Sequence, residues 1–308
     1  MNIAAGIHEL IGNTPMVRLG GLEEKLGLNA CILAKLEMNN PAGSAKDRIA
    51  LEMIEAARAE GRLIPGGTVI EPTSGNTGIG IAAICARMGY RAVIIMPDNM
   101  SAERCRLVRA YGAELVLTPA AEGMQGAVKA AEEMQAKLPG SIIAGQFYNP
   151  ANPMAHYKTT GPEIWRDTGG NIAALVAGIG SGGTISGTGR YLKQQDAAIR
   201  IVGVEPAESP LISKGTAGGH GIQGIGANFI PENLDRNVLD EVICVETESA
   251  MEYGRLLAKC EGLLCGISSG AAVCAAVELA KRPEYRGKNI AVILPDTGER
   301  YLSSPMFE

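Results

Sequence analysis

Two hydrophobic rhythms alternate along this chain. Short runs that are apolar almost throughout, TVIEP at 68–72, RAVIIMP at 91–97 and AELVLTP at 113–119, are each followed by a longer stretch with apolar residues three and four apart. Those longer stretches are NTGIGIAAICARMG, SAERCRLVRAYG and EGMQGAVKAAEEMQAKLP. The first kind reads as strand and the second as helix. A strand that is apolar on both faces is covered on both faces, as in a parallel sheet between helical layers. The pattern predicts a doubly wound α/β fold.

The rhythm breaks at GQFYNPANPMAHYKTTGPEIWRDTGG, residues 145 to 170, where turn residues and the only tryptophan intervene. It resumes with NIAALVAGI, TISGTGRYLKQQ, IRIVGVEP, EVICV, a helix around 248 to 260, and NIAVILP. A domain junction is therefore expected near 150. A chain of 308 residues is long enough for about two domains.

Composition narrows the function classes. Hydrophobic residues make up 46% and charged residues 20%, which excludes a disordered chain. Forty glycines with only 4% aromatics suit tight strand-to-helix turns and close helix-on-sheet packing. The net charge of −5, without a long run of one sign, argues against nucleic-acid or anionic-membrane partners. No basic leader precedes an apolar stretch, and no run of about 18 apolar residues occurs, so the expected location is cytoplasmic. The seven cysteines are odd in number, scattered, and form no C-x-x-C, and so read as reduced core residues. His8, His156 and His220 pair with nothing at ligand spacing, so no metal is expected.

Three strand-to-helix loops and one lysine carry candidate chemistry. In NNPAGSAKDR, Lys46 falls in the first turn of the helix that DRIALEMIEAARAE predicts. A helix N-terminus disfavours a cation, which favours the neutral, nucleophilic amine. The plainer reading is a capping box, with Ser44 as N-cap and Asp47 three residues on, and a solvated lysine inside it. GIGSGGT, residues 178–184, offers backbone N–H groups at a helix start, a phosphate cradle to which Ser181 and Thr184 add hydroxyls. The same letters fit G-x-G-x-x-G through Gly178, Gly180 and Gly183, with Glu205 placed for a ribose, which leaves an NAD-dependent oxidoreductase open. EPTSGNTG, residues 71–78, gathers Thr73, Ser74, Asn76 and Thr77 around Gly75 and suits a carboxylate. In CGISSGAAVCAAV, Ser268 and Ser269 open an apolar helix, either as caps or as hydroxyls for a ring nitrogen. Pyridoxal phosphate would use an amine, a phosphate cradle, a carboxylate site and a ring-nitrogen partner together.

NPAGSAKDR, EPTSGNTGIG, GIGSGGT, IQGIGANFIP, CGISSGAA and LPDTGERYLS, in this order, resemble the cysteine synthases, or O-acetylserine sulfhydrylases, a likeness that runs from IGNTP at residue 11 to YLS at 303. The resemblance implies a fold-type-II pyridoxal-phosphate enzyme with two doubly wound α/β domains and the cofactor in the cleft between them. Residues 40–150 would form the smaller, mobile domain, and residues 1–39 with 151–308 the larger, phosphate-binding one. Lys46 would hold the cofactor, Asn76 the ring hydroxyl, Gly180, Ser181, Gly182, Gly183 and Thr184 the phosphate, and Ser268 the pyridine nitrogen. Thr73, Ser74, Gly75, Thr77 and Gln146 would receive the substrate carboxylate. The implied reaction converts O-acetyl-L-serine and sulfide to L-cysteine and acetate by β-elimination and addition, in a cytoplasmic homodimer. A serine rather than a carboxylate at the ring nitrogen implies elimination over transamination. NPAGSAKDR also occurs in thiosulfate-using and cystathionine-forming relatives, and a catalytically silent binding partner is a third class. IQGIGANFIP departs from the usual GAGF spelling at Asn228, which bears on docking of a serine acetyltransferase tail.

Overall fold

The computed structural model describes residues 3–308. The chain runs through β1 (Met16–Arg18), α1 (Gly20–Leu26), β2 (Cys31–Leu36), α2 (Lys46–Ala59), β3 (Thr68–Pro72), α3 (Asn76–Met88) and β4 (Arg91–Pro97). It continues with α4 (Ala102–Ala110), β5 (Glu114–Thr118), α5 (Gly123–Lys137), β6 (Ser141–Ile143), α6 (Ala151–Lys158), α7 (Thr160–Asp167) and β7 (Ala174–Gly178). The last elements are α8 (Gly183–Gln195), β8 (Arg200–Pro206), α9 (Leu211–Lys214), β9 (Glu241–Val245), α10 (Thr247–Glu261), α11 (Ile267–Ala280) and β10 (Asn289–Leu294). They fall into two compact units, one of residues up to Ile11 with Asn40–Asn152, the other of Gly12–Asn39 with Pro153–Glu308. The described residues before Gly12 go with the first unit, whereas the sequence grouped them with the second. One reason is local: the Arg87 guanidinium of α3 donates to the Ala5 carbonyl at 2.8 Å.

The first unit holds a parallel sheet in the order β5-β4-β3-β6. Ile70, Val93 and Ile95 face α5, where Ala127 and Ala131 pack on them. Ile94 points the other way and meets α3, since a Cβ on Gly78 would lie 2.7 Å from it. The sheet is thus covered on both faces, which is why its strands read as unbroken apolar runs. The chain leaves β3 towards β4 on one side and adds β6 on the other. Ligands of such sheets bind beyond the carboxyl ends of the strands where the order reverses. Here those ends carry Thr73–Thr77 and the turn at Gly145–Gln146.

The second unit holds a six-stranded sheet, β1-β2-β10-β7-β8-β9, parallel except for β1 against β2. Val176, Val202, Val204, Val292 and Leu294 pack into the layer of α10 and α11. Leu175, Ala177, Ile201, Ala291 and Ile293 alternate with them and share a cluster with Ile164 of α7 and Ile185 and Leu192 of α8. In α11 every residue but Cys274 and Glu278 is buried. Gly270 is required there, because a side chain would run into the Ala250 carbonyl of α10. The strand order reverses at β7, whose carboxyl end is the glycine loop before α8.

Candidate active site

Lys46 is the first residue of α2 and is half-buried. The expected capping box takes a different form. Ser44 is not the N-cap; its hydroxyl accepts from the Lys46 N–H at 3.2 Å, while Asp47 reaches back to accept from the Ala42 N–H at 2.6 Å. Both side chains thus fold the PAGS loop onto the helix start, with Ser44 answering the first N–H of α2 from one residue before the N-cap, Ala45. Gly80 of α3 allows close approach, for a Cβ there would lie 3.1 Å from the Lys46 carbonyl oxygen.

In the same unit, the Thr73 hydroxyl accepts from the Gly75 N–H at 3.2 Å, and Gly75 is the uncapped N-cap of α3. Thr73, Gly75 and Thr77 are buried, Asn76 is half-buried and Ser74 is exposed. The Thr77 hydroxyl donates to Gln146 Oε1 at 2.6 Å, so residues 69 apart in sequence meet as one polar pair. Two groups that the sequence reading passed over support this loop. Arg104 is buried, and its Nε would lie 3.1 Å from a Cβ on Gly75. Glu71, fully buried at the end of β3, accepts from the Gly145 N–H at 2.7 Å and from the Gln146 N–H at 3.3 Å. Burial pushes its carboxyl up from 4.5 to about 7, opposed by those two N–H groups and the Gln146 side chain.

In the second unit the glycine loop leaves β7 at Gly178 and enters α8 at Gly183. Gly182, the N-cap, has φ 82° and no side-chain cap above it. The loop lies against residues 224–226: Gly226 N–H donates to the Ile179 carbonyl at 3.0 Å, and a side chain on Gly180 would strike the Gly224 carbonyl. Gly224 has φ 96°, and a Cβ on it would stand 3.6 Å from the Ser268 hydroxyl. Gly180, Gly224 and Ser268 therefore follow one another in space. Ser268 and Ser269 are not caps, since the N-cap of α11 is Gly266 and neither serine bonds as one. Ser268 is buried in the first turn.

Thr184 has a partner that the sequence did not reveal. The fully buried His156 of α6 contacts the Thr184 hydroxyl through Nε2 at 3.1 Å and the Thr160 hydroxyl through Nδ1 at 2.8 Å. The four-residue spacing of His156 and Thr160 was the available signal.

Helices α2, α3 and α8 begin at candidate residues and α11 one residue before Ser268, and the N-caps of α3, α8 and α11 are glycines, Gly75, Gly182 and Gly266, which bring no side chain to those helix starts. Uncapped first-turn N–H groups are donors for an anion. That donor set fits a phosphate at α8 and a carboxylate at α3. It does not fit the dinucleotide alternative, because Glu205 accepts from the Ile212 and Ser213 N–H groups at 2.7 and 3.0 Å and from the Ser213 hydroxyl. Its carboxylate caps α9 and is turned away from ribose binding. Asn228 does keep the left-handed turn, at φ 62°, and its Oδ1 accepts from the Ser209 hydroxyl at 2.7 Å. All seven cysteines are free.

Comparison with known proteins shows the family of the chain. The family model described as pyridoxal-phosphate dependent enzyme matches residues 7–296. A Staphylococcus aureus cysteine synthase is 50% identical over 302 residues, 98% of this chain and 96% of that protein. The crystal structure of a cysteine synthase from Entamoeba histolytica superposes with a TM-score of 0.96 at 43% identity, over 99% of this chain and 91% of that one. A hydrogen sulfide-producing enzyme from Fusobacterium nucleatum superposes with a TM-score of 0.94 at 43% identity, over 97% of this chain and all of the other.

Proposed function

The chain belongs to the pyridoxal-phosphate dependent enzymes, and from that premise we propose that it makes L-cysteine and acetate from O-acetyl-L-serine and sulfide. The observation that carries the reading is the pair of helix starts with glycine N-caps, α3 beside the Thr77–Gln146 pair and α8 behind the glycine loop, together with Lys46 in the first turn of α2. Pyridoxal phosphate, held through its aldehyde, supplies an electron sink that acidifies the Cα–H of an amino acid and lets a β-substituent leave.

The protein's residues then have separate tasks. Lys46 Nζ would hold the cofactor aldehyde, and its free amine would serve as the base for the proton on the substrate Cα. The N–H groups at the start of α3, with Thr73, Ser74, Thr77 and Gln146, bind the substrate carboxylate and fix which bond faces the lysine. Asn76 donates to the ring hydroxyl. Gly180 to Thr184 take the phosphate, with Thr184 steadied by His156. Ser268 would offer the ring nitrogen a neutral hydroxyl in place of a carboxylate, a partner that favours elimination over transamination.

We also propose sulfide as the sulfur donor over thiosulfate or homocysteine, and a cytoplasmic homodimer as the working form. Asn228, held by Ser209, makes the entrance loop a poorer seat for a serine acetyltransferase tail than the usual glycine. The likeness to a hydrogen sulfide-producing enzyme supports a second reading, sulfide release from cysteine. The test supplies the purified holoenzyme with O-acetylserine and sulfide, thiosulfate or homocysteine, and separately with L-cysteine alone, and measures each product. Cysteine from the first pair is expected to dominate. Lys46→Ala is expected to lose both turnover and the near-visible absorbance of the lysine-bound cofactor. A wild type that forms no cysteine, or a variant that keeps the band, would refute it.

A further inference from the structure

A loop that binds a carboxylate must hold its donors still before the ligand arrives, because ordering them afterwards costs affinity. Gln146 is the one candidate carboxylate ligand in its unit that does not lie on the β3–α3 loop. It sits in the turn after β6, and its place relative to Thr77 depends on what fixes that turn. The ladder between β3 and β6 ends when the Ala144 N–H donates to the Ile70 carbonyl at 3.0 Å. From the next residue the strand bond is replaced by a side chain. Glu71 Oε2 accepts from the Gly145 N–H at 2.7 Å and Oε1 from the Gln146 N–H at 3.3 Å. The Gln146 carbonyl accepts from Asn152 Nδ2 at 2.6 Å, and its side-chain oxygen from Thr77 at 2.6 Å. Gly145 turns the chain at φ 76°, where a side chain would strike the Tyr148 ring.

We propose, resting on the cysteine synthase reading, that Glu71 is a positioning residue for the substrate carboxylate, fixing the Gly145–Gln146 turn so that the Gln146 carboxamide stays on Thr77. Glu71 touches neither substrate nor cofactor in this role. The chemistry of the contact and its setting both support it. A carboxylate is the side chain that can accept from two successive N–H groups at once, and both of its oxygens do so. The group is also wholly buried at the carboxyl end of β3, at the reversal of the strand order, where burial works against its charge and only a required contact keeps it.

Glu71→Gln is the informative variant because it keeps the shape. One acceptor oxygen becomes an NH2 group facing an N–H, so one of the two bonds is lost. Amide hydrogen exchange of the holoenzyme should show faster exchange at Gly145 or Gln146 with Ala144 unchanged. Assayed above the pH of about 7 at which Glu71 titrates, the KM for O-acetylserine should rise about tenfold, the scale of one lost charge-assisted bond, with kcat and the KM for sulfide within about a factor of three. L-Serine, added to the holoenzyme and followed by the cofactor absorbance, should bind correspondingly weaker. Unchanged exchange at both amides overturns the proposal, as does faster exchange with unaltered KM and L-serine affinity, or a fall in kcat that tracks loss of folded protein. A wild type inactive on O-acetylserine would sink the reaction instead, and exchange with L-serine binding would still judge Glu71.

Discussion

Adding one methyl group to Gly182 tests whether the glycine loop is a built cradle or an ordinary turn. Gly182 is the N-cap of α8 with φ 82°, a region where a side chain costs about 1–2 kcal/mol. A Cβ there would also lie 2.8 Å from the Cα, Cβ and N of Leu234, so the loop or the segment at 234 must move, at a further ~1–3 kcal/mol. The expected total is about 2–5 kcal/mol. Gly27 separates the two costs: it sits at φ 63° after α1 with nothing within 4 Å of its absent Cβ, so Gly27→Ala carries the backbone cost alone. Gly20→Ala, in α1 with nothing within 4 Å, carries neither. At roughly 2–4 °C per kcal/mol for a domain of this size, Gly182→Ala should melt on the order of 10 °C lower, Gly27→Ala about 5 °C lower, and Gly20→Ala near wild type. Titration with pyridoxal phosphate should show at least about tenfold weaker binding, 1.4 kcal/mol, for Gly182→Ala only. If Gly182→Ala and Gly27→Ala melt together and bind the cofactor alike, the cradle argument is wrong.

Lys35, wholly buried in β2, lies 2.8 Å from Glu163 and 3.4 Å from Asp167 and donates to the Thr14 carbonyl at 2.6 Å. Lys35→Met should cost about 3–5 kcal/mol by taking the lysine from the buried Glu163 carboxylate, Asp167 keeping Arg166 at 2.8 Å, and a second change, Glu163→Gln, should return part of it in thermal melts. Glu71 gives a pH signature: with its folded value near 7 against 4.5 unfolded, the native chain holds a proton the unfolded chain has released across that window. Stability from this group is therefore complete below 4.5 and declines, by at most roughly 3 kcal/mol, as pH rises towards 7. Denaturant melts of wild type and Glu71→Gln between pH 4.5 and 7.5 should diverge in that sense, and parallel curves would count against it. Thr184→Val should weaken cofactor binding by about 5- to 100-fold through the unanswered His156 Nε2, with Thr184→Ser restoring most of it.

The strands and helices from β3 to β5 and, apart from the four-residue α9, from β7 to β10 were legible because sheet and helix periods are local, and each strand's double burial shows in its letters. The exceptions have local causes too. CILAKL hid β2, since the buried Lys35 interrupts its apolar run and is explained only by carboxylates more than 120 residues away. The stretch 145–170 hid α6 and α7, because Pro153 and Pro162 read as breakers although each lies in a helical first turn, where a missing N–H costs nothing.

By itself the sequence determined the α/β class, the placing of the loops at strand ends, and the residue types for an amine, a phosphate and a carboxylate. Only the tertiary structure decided which serines and threonines cap helices and which do not, that Glu205 is committed to α9, and that Glu71 and His156 stand behind Gln146 and Thr184. The reason is one of range. Backbone periodicity is fixed within a turn or two of chain, whereas Thr77 with Gln146, or Glu71 with Gly145, are 69 and 74 residues apart and meet only because β3 and β6 lie side by side in the sheet.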